Sequence, residues 1–539
     1  MTGRIRMRRA AAGVLTLTAA AMAIGWAVGA GPLHAQENRV GGTWTIAINE
    51  EPDTLDPQKT GAAVAAQIFA FVGEPLLAKD FQSGIVPGLA ESWTIGGDGR
   101  EWTFRLRAGA VFHDGTPVTA AAVRASIVRA LAPETKSPVA KAQLGPVVAV
   151  DALDDRTLRI TLKEPFAPFM ANLTDPRLSP ISIKAAEAAG AGFGRAPVSE
   201  GPYTVKEWVS GHHITLARNP AFAWGPPYMH RGPAYLDQVT FRIIPDSATQ
   251  VAAFESGEVS QIQIPPHDVT RLVDSKKYEV FHFLRKGVGL FLEFNTAREP
   301  FNDLRVRRAM NYAIDKDVLV KVALEGQGEP AYGPLPPSIW GYWPGIVDYA
   351  PHYDPAKAKR LFAEAGYVMG PDGLLEKAGR QLSFTVFMPP IDTWTRSAQL
   401  MQAGLRAFGV KMDIQTYEFG TLLEMLKRGE HPAELMGYTY NEPDILFVWF
   451  DSVNIGAGLN FSHYSDATLD GMIEAARRTM DTRKRAALYA GLQRYVVDKA
   501  LWVPLWTNFN YIALQPTIKE ARIHPDGYVF LGDAYLVKP

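Results

Sequence analysis

The segment 86–127 constrains the fold of this chain more than any other part of its sequence. Residues 92–95 and 102–106 are rich in β-formers, and apolar and polar residues alternate in the second run, which predicts a strand with one buried face. Asp98-Gly99 between the two runs supplies the positive-φ residues that a tight hairpin needs. A helix is predicted after Thr119, a good N-cap, because apolar residues then recur at every fourth position. These residues are Val123, Ile127 and Leu131.

The same segment resembles the signature region of the extracellular solute-binding proteins of family 5, the receptors of peptide-type and nickel-type ABC importers. It departs from the family pattern at Ala122, where an acidic residue is usual. The resemblance implies an α/β, two-lobed periplasmic binding protein of type II, with an extra inserted domain in the first lobe and a ligand cleft between the lobes. The residues that carry it are Leu89-Ala90-Glu91-Ser92-Trp93, Asp98-Gly99, Thr103-Phe104, Leu106-Arg107, Phe112-His113-Asp114-Gly115 and Pro117.

The first 35 residues are typical of a cleaved signal peptide. Four arginines within residues 4–9 precede an apolar run to about Val28, and small residues follow. Cleavage is expected after Ala30 or Ala35. Because the apolar run approaches the ~18 residues at which a helix can span a membrane, an uncleaved anchor is the alternative.

The composition agrees with export. The chain has no cysteine, so it needs no disulfide, lacks the lipobox of a lipid-anchored protein and offers no thiol nucleophile. Removing residues 1–35 takes away four of the 55 basic residues and none of the 56 acidic ones, which leaves a formal charge of −5. A mildly acidic surface favours solubility and gives no support to nucleic-acid binding. We therefore expect a soluble, monomeric periplasmic protein that is not a lipoprotein.

The length indicates more than one domain. About 500 mature residues exceed what one hydrophobic core usually organises. No repeat or flexible linker divides them, which indicates that the chain crosses between lobes more than once. The resemblance then implies a lobe I of residues 36–80, 198–285 and 507–539, an inserted domain of residues 81–197, and a lobe II of residues 286–506.

Two segments carry most of the candidate ligand-binding residues. The acidic loop 49–57 resembles the family's opening loop at the mouth of the cleft, and a solvated turn is the alternative. Segment 436–444 resembles one that, in peptide receptors, carries an aspartate which pairs with the peptide's free amino group. Alignment on Asn441-Glu442-Pro443 places Thr439 at that position. The candidate site residues are Glu51, Trp394, Tyr438, Thr439, Tyr440, Asn441 and Asp444.

The chemistry of these candidates bears on the ligand. Trp394, in the loop-like segment 389–394, and Tyr438 and Tyr440 could each lie in the cleft or in the core. The hydroxyl of Thr439 can exchange hydrogen bonds, but it cannot neutralise an ammonium group. By family, the ligand is a peptide or peptide-like compound. A sugar-containing solute, an opine-like solute or a metal chelate is the alternative.

Other functional classes find little support. The chain has no H-E-x-x-H, G-x-S-x-G or phosphate-loop motif, so we expect no enzyme. Paired carboxylates such as Glu50 and Glu51 leave a periplasmic hydrolase as an alternative, and a structural or chaperone-like envelope protein is another. We expect no cofactor and no metal site, because the histidines lack ligand spacing and the adjacent His212 and His213 should point to opposite sides of a strand.

The resemblance also implies a mechanism and partners. The solute binds one lobe, a hinge closes, and the solute is buried between the lobes. The closed receptor then delivers the solute to the permease and ATPase subunits of an ABC importer. The basic cluster Arg305, Arg307 and Arg308 is interpreted as a solvated helix face rather than as an anion site.

Overall fold

The computed structural model describes residues 39–440, 442–456 and 458–537. The predicted signal peptide and the candidate site residue Asn441 lie outside these ranges. Within them, no helix combines the length and the apolar character that a membrane span requires.

Strands and short helices make up the first half of the described chain. In chain order, the elements are β1 (Thr43–Ile48), α1 (Ala63–Phe69), β2 (Leu77–Lys79), β3 (Ile85–Pro87), β4 (Ala90–Gly96), β5 (Glu101–Leu106), α2 (Ala120–Leu131), α3 (Ala140–Leu144), β6 (Val147–Ala152), β7 (Thr157–Leu162), α4 (Phe169–Asn172), α5 (Ile183–Ala189), β8 (Tyr203–Val209), β9 (His213–Arg218), β10 (Gln238–Ile243), α6 (Ser247–Glu255), β11 (Gln261–Gln263), α7 (Val269–Asp274) and β12 (Glu279–Leu284).

The second half contains the longer helices. In chain order, its elements are β13 (Val288–Phe294), α8 (Leu304–Ala313), α9 (Lys316–Ala323), β14 (Gly328–Pro330), α10 (Ile346–Tyr349), α11 (Pro355–Glu364), β15 (Val368–Met369), β16 (Leu375–Lys377), β17 (Arg380–Gln381), β18 (Ser383–Met388), α12 (Asp392–Arg406), β19 (Lys411–Thr416), α13 (Phe419–Lys427), β20 (Ala433–Tyr438), α14 (Ile445–Phe450), α15 (Ala467–Arg478), α16 (Thr482–Asp498), β21 (Trp502–Leu514), β22 (Ile518–Lys519), β23 (Arg522–Ile523), β24 (Val529–Phe530) and β25 (Tyr535–Leu536).

One mixed sheet of twelve strands runs through the molecule. Ten strands follow the order β19-β18-β20-β13-β21-β11-β1-β10-β9-β8, while β12 and β14 both pair with β21. In β21, residues 502–508 pair with β13 and β14, and residues 509–514 pair with β12 and β11. This 13-residue strand therefore belongs to both halves of the sheet.

Three large hydrophobic cores pack on this frame. The first lies on β1 and β8–β10 and includes Trp44, Tyr203 and Phe241. The second, within residues 76–173, surrounds the four-stranded sheet β4-β5-β7-β6 and α2. The third, within residues 288–506, packs on β13, β18, β20 and the start of β21. We call these three parts the first lobe, the insert and the second lobe.

The structure confirms the strand, turn and helix predicted within 86–127. The side chains of Trp102, Phe104 and Leu106 are fully buried on one face of β5, and Asp98 and Gly99 both have positive φ in the hairpin turn. The side chain of Thr119 accepts a hydrogen bond from the backbone N–H of Ala122 at the start of α2. Here local rules suffice, because cap, turn and alternating pattern all favour the same structure.

One local expectation was wrong, and another holds only in part. Trp394 lies in the first turn of α12 and not in a loop, because the helix begins at Asp392, whose negative charge stabilises a helix N-terminus. Arg305 and Arg308 are exposed, as expected of a solvated helix face. Arg307 is buried instead, and its guanidinium donates hydrogen bonds to the backbone carbonyls of Phe301 and Lys499. This arginine caps the end of a neighbouring helix instead of binding an anion.

The expectation for the histidine pair was also wrong. His212 lies in the turn before β9, so its side chain does not follow the alternation of the strand. Its Nδ1 lies 2.6 Å from the Nδ1 of His213, and the two rings are in contact. Among the described residues, no group of three histidine or acidic side chains is arranged to hold a metal ion.

Candidate functional site

Three adjoining cavities lie where the first lobe, the insert and the second lobe meet. The central cavity, of about 420 Å³, is lined by α1, by residues 171–177 of the insert, by residues 437–440 at the end of β20, and by residues 526–528. The first-lobe cavity, of about 570 Å³, shares Arg285, Thr439 and Asp526 with it. The insert cavity, of about 400 Å³, shares Lys79 and Glu442 with it. Together they form a continuous cleft.

The floor of the central cavity is the end of strand β20. Tyr438, Thr439 and Tyr440 all line it, and the rings of the two tyrosines lie 6.4 Å apart. Tyr438 also packs edge-on against the buried ring of Trp449, at 5.1 Å between centroids. These aromatic contacts hold one face of the segment against the second-lobe core, while the side chain of Thr439 is exposed to the cleft.

The connection between β12 and β13 packs directly against this floor. Gly287 has a φ of +99°, and a Cβ placed there would overlap the carbonyl oxygen of Tyr438. Only glycine fits such a close approach with positive φ. Since Val288 pairs with Tyr438 across the β13–β20 ladder, the residues just before Val288 lie beside Thr439.

From this connection, the side chain of Arg285 contacts the floor of the cavity. Its Nη2 donates a hydrogen bond to the Oγ1 of Thr439 at 3.0 Å. No carboxylate among the described residues lies within 4 Å of its guanidinium, and burial lowers the pKa of Arg285. The positive charge of Arg285 therefore lies next to the side chain of Thr439.

The acids near this position are already engaged. Asp526 forms an ion pair with Lys79 at 2.8 Å, and Glu442 forms one with Arg485 at 2.6 Å. Asp444 is buried, and its Oδ1 lies 3.0 Å from the Nε of Arg477. Burial raises the pKa of Asp444, although the neighbouring arginine opposes the change. Asp444 is thus part of an internal ion pair beneath the floor.

Glu51 and Trp394 are not among the residues that line the three cavities. The carboxylate of Glu51 accepts hydrogen bonds from the indole N–H of Trp208 at 2.7 Å and from the backbone N–H of Gly211 at 2.9 Å. Trp394 is buried in the second-lobe core, with its ring beneath Gly437. Of the described candidates, the structure brings together Tyr438, Thr439 and Tyr440.

Sequence reasoning missed the basic residues of the cleft. Arg285 and Lys286 line it from the connection between β12 and β13, and Lys79 lines it from the end of β2. The only local signal was a basic pair immediately before Gly287-Val288-Gly289, a glycine-rich start to a strand. The role of this basic pair depends on the contact of Arg285 with Thr439, which is 154 residues away along the chain.

The fold and the cleft define a class of protein. A sheet shared by two separately packed lobes, with a third core inserted and a cleft at the junction, is the architecture of a two-lobed α/β binding protein of type II. Proteins of this class bind a solute between the lobes.

Comparison with known proteins identifies the family. Residues 84–455 match the model for bacterial extracellular solute-binding proteins, family 5 Middle. Heme-binding protein A of Haemophilus influenzae is 32% identical over 83% of this chain and 84% of its own. The dipeptide-binding protein of Escherichia coli is 30% identical over the same shares, 83% and 84%. The chain therefore belongs to the family 5 solute-binding proteins.

Solved structures agree with the fold. NikA from Brucella suis in complex with Fe(III)-EDTA superposes with a TM-score of 0.82 at 25% identity, and 92% of this chain and 100% of NikA are covered. DppA from Helicobacter pylori in complex with the peptide STSA gives a TM-score of 0.78 at 28% identity, with 94% and 100% covered. The two-lobed fold expected from the sequence is confirmed.

Proposed function

We propose that this protein is the periplasmic receptor of an ABC importer and that it captures a peptide or peptide-like solute in the cleft. The observation that carries the proposal is the cleft itself, which lies at the junction of the lobes in a chain of family 5. Apolar walls with a few polar anchors are typical of small-molecule sites. Here Tyr438 and Tyr440 supply aromatic walls, and Thr439 and Arg285 supply polar groups.

The domain division follows the same proposal. We assign residues 36–80, 198–285 and 507–539 to lobe I, residues 81–197 to the inserted domain and residues 286–506 to lobe II. The pairing of β21 supports the boundary near residue 507, since its partners change from β14 to β12 between residues 508 and 509. The boundary near 285 falls between β12 and β13. These two crossings are the proposed hinge, and closure about them buries the solute.

Thr439 governs the proposed selectivity. A free amino terminus that enters the floor would lose water, gain no opposite charge from Thr439 and face Arg285 at close range. Glu51 and Asp444 do not compensate, because both carboxylates are held elsewhere. Simple peptides with a free amino terminus should therefore bind more weakly than the same peptides with a blocked terminus.

A melting screen tests the ligand class. A solute that binds only the folded protein contributes about 2.7 kcal/mol of stability at a hundredfold excess over its Kd, which a melting curve resolves easily. The screen compares tripeptides with their N-acetylated forms, alongside sugars and metal chelates. Larger midpoint shifts with the acetylated forms support the proposal, and a shift from sugars or chelates alone would replace the peptide-like class by a non-peptide one.

Export and partners complete the proposal. We place the mature protein in the periplasm, starting at Gly31 or Gln36, as a monomer that meets permease and ATPase subunits at the inner membrane. N-terminal sequencing that finds Met1, or fractionation entirely with membranes, would contradict the export.

We further propose that the cleft binds its solute without converting it. Solute recovered unaltered after prolonged incubation supports binding without catalysis, and conversion beyond one equivalent of protein contradicts it.

A further inference from the structure

The charged side chains that line the cleft differ in whether an opposite charge lies beside them. Most are held in ion pairs with described neighbours: Lys79 with Asp526, Arg177 with Asp175, and Arg485 with Glu442. Two adjacent cations are different. Arg285 and Lys286 line the first-lobe cavity, and neither has a carboxylate within 4 Å among the described residues. Glu50 lines the same cavity but forms no ion pair with either of them. Asp526 also lines this cavity, and its charge opposes the lowering of the pKa of Lys286 by burial, whereas burial lowers the pKa of Arg285 with no opposing carboxylate among the described residues. Arg285 is therefore the cation without a counter-charge.

The donors of these two residues are only partly used. The ammonium group of Lys286 donates to the backbone carbonyl of Ser338 at 2.7 Å, which leaves two of its three donors. Within the described structure, the guanidinium of Arg285 makes one hydrogen bond, to Thr439, although it has five N–H donors. Because Thr439 accepts that bond, its own hydroxyl proton remains available to donate to a ligand.

A partly buried cation without a counter-charge is costly, and an anion placed beside it offsets that cost. The planar guanidinium suits the two oxygens of a carboxylate or a phosphate, which it can bind through two parallel hydrogen bonds. The hydroxyl of Thr439, whose oxygen lies 3.0 Å from Nη2, offers a further donor close by. These groups favour an acidic ligand over one that carries an ammonium group.

We infer that the solute of this receptor carries an anionic group, a carboxylate or a phosphate, that binds Arg285 and Thr439 at the connection between β12 and β13. This inference rests on the proposed function and names its substrate class: acidic peptide-like compounds, and not peptides headed by a free amino group. Lys286 lies on the same connection and adds to the positive potential of that part of the cleft.

The test uses one tripeptide with uncharged side chains and an amidated C-terminus, so that only the head group is charged, in four forms: free, N-acetylated, N-succinylated and carrying an N-acetylphosphoserine head. Each is titrated against the wild-type protein, Arg285→Gln and Arg285→Lys, and Kd is measured by calorimetry. The exposed Arg380→Gln serves as the matched control, since Arg380 lies outside the cleft and pairs with exposed Glu299. Loss of charge-assisted hydrogen bonds should weaken the anionic forms about tenfold to a hundredfold in Arg285→Gln. Arg285→Lys should be intermediate.

The outcomes separate the two proposals. If the succinylated form binds most tightly, the site is a carboxylate site, and if the phosphorylated form does, it is a phosphate site. Either result supports the inference, provided that Arg285→Gln abolishes the preference. Tightest binding of the acetylated form, or an anionic preference that survives in Arg285→Gln, overturns the inference and leaves the peptide-like ligand standing. If no peptide form binds, the peptide-like class fails. Succinate and inorganic phosphate then test the anion site by itself. If they stabilise the wild-type protein but not Arg285→Gln, the anion site is supported, and if they do not stabilise the wild type, it is overturned.

Discussion

Reversing the charge at the floor of the cleft should convert its selectivity, but only when two residues change together. Thr439→Asp alone introduces the acid that peptide-type relatives are expected to use. That carboxylate would stand beside Arg285, whose Nη2 already lies 3.0 Å from the hydroxyl oxygen of Thr439. The new aspartate is therefore neutralised from within the protein. The double variant Thr439→Asp/Arg285→Gln leaves the aspartate without an internal partner.

The expected magnitudes follow from this geometry. Two unit charges about 4 Å apart attract by roughly 4 kcal/mol at an effective dielectric constant of about 20, and solvent at this exposed position reduces that figure. An ammonium group that competes for the single-variant aspartate must displace Arg285, so its affinity should change by less than about tenfold. In the double variant, a charge-assisted hydrogen bond of about 1.5–3 kcal/mol is available, which corresponds to about a tenfold to hundredfold gain.

A thermodynamic cycle measures this difference by calorimetry. A tripeptide with an amidated C-terminus, in its free and N-acetylated forms, is titrated against the wild type, both single variants and the double variant. The acetylated form, which carries no ammonium, is the internal control and should change little across the cycle. If Thr439→Asp alone binds the free tripeptide as tightly as the double variant does, Arg285 does not neutralise position 439. The reasoning from this contact would then be wrong.

Three further predictions concern stability, and one of them also concerns solute binding. Glu434→Gln should stabilise the protein at pH 8 by about 1–3 kcal/mol, because Glu434 is fully buried opposite Glu293 and burial, then the neighbouring carboxyl, raise its pKa. Because the pKa of Glu434 is higher in the folded than in the unfolded protein, the stability contributed by the protonated pair is fully present below the unfolded pKa and falls as pH rises toward the folded pKa. In urea melts from pH 5 to pH 8, the free energy of unfolding should therefore decline less in the variant than in the wild type. Gly287→Ala should cost about 2–5 kcal/mol in the same melts and weaken solute binding, because the new Cβ meets the backbone of Tyr438. Arg307→Leu should cost about 2–4 kcal/mol, because buried backbone carbonyls lose their donor.

Matched variants isolate each cause. Glu187→Gln alters an exposed carboxylate and should leave the pH dependence of stability unchanged. Gly373 also has positive φ, but a Cβ there would meet nothing within 4 Å, so Gly373→Ala measures backbone strain without the clash. Arg380→Gln removes an exposed guanidinium and should change stability by less than about 0.5 kcal/mol. Equal losses in Gly287→Ala and Gly373→Ala would contradict the packing argument for Gly287, and a stable Arg307→Leu would contradict the capping argument.

The elements that the sequence predicted well are those in which neighbouring residues determine the outcome. Helix α2 was expected after Thr119 as N-cap, and the side chain of Thr119 does accept a hydrogen bond from the backbone N–H of Ala122. Strand β5 was expected over residues 102–106 from its alternating pattern, and it spans Glu101–Leu106. The family and the two-lobed fold followed from one such local segment, residues 86–127.

The candidate site depended on pairings that no local pattern contains. Tyr438, Thr439 and Tyr440 were found through the family segment, but the charge beside them was not, because Arg285 reaches Thr439 only through the register that pairs Val288 with Tyr438. A shift of one residue in that ladder would turn each side chain to the other face of the sheet. The sign of the potential at the floor is thus a property of strand register. For this reason Thr439, read alone, indicated only a missing acid, whereas Thr439 beside Arg285 indicates an anion-binding position.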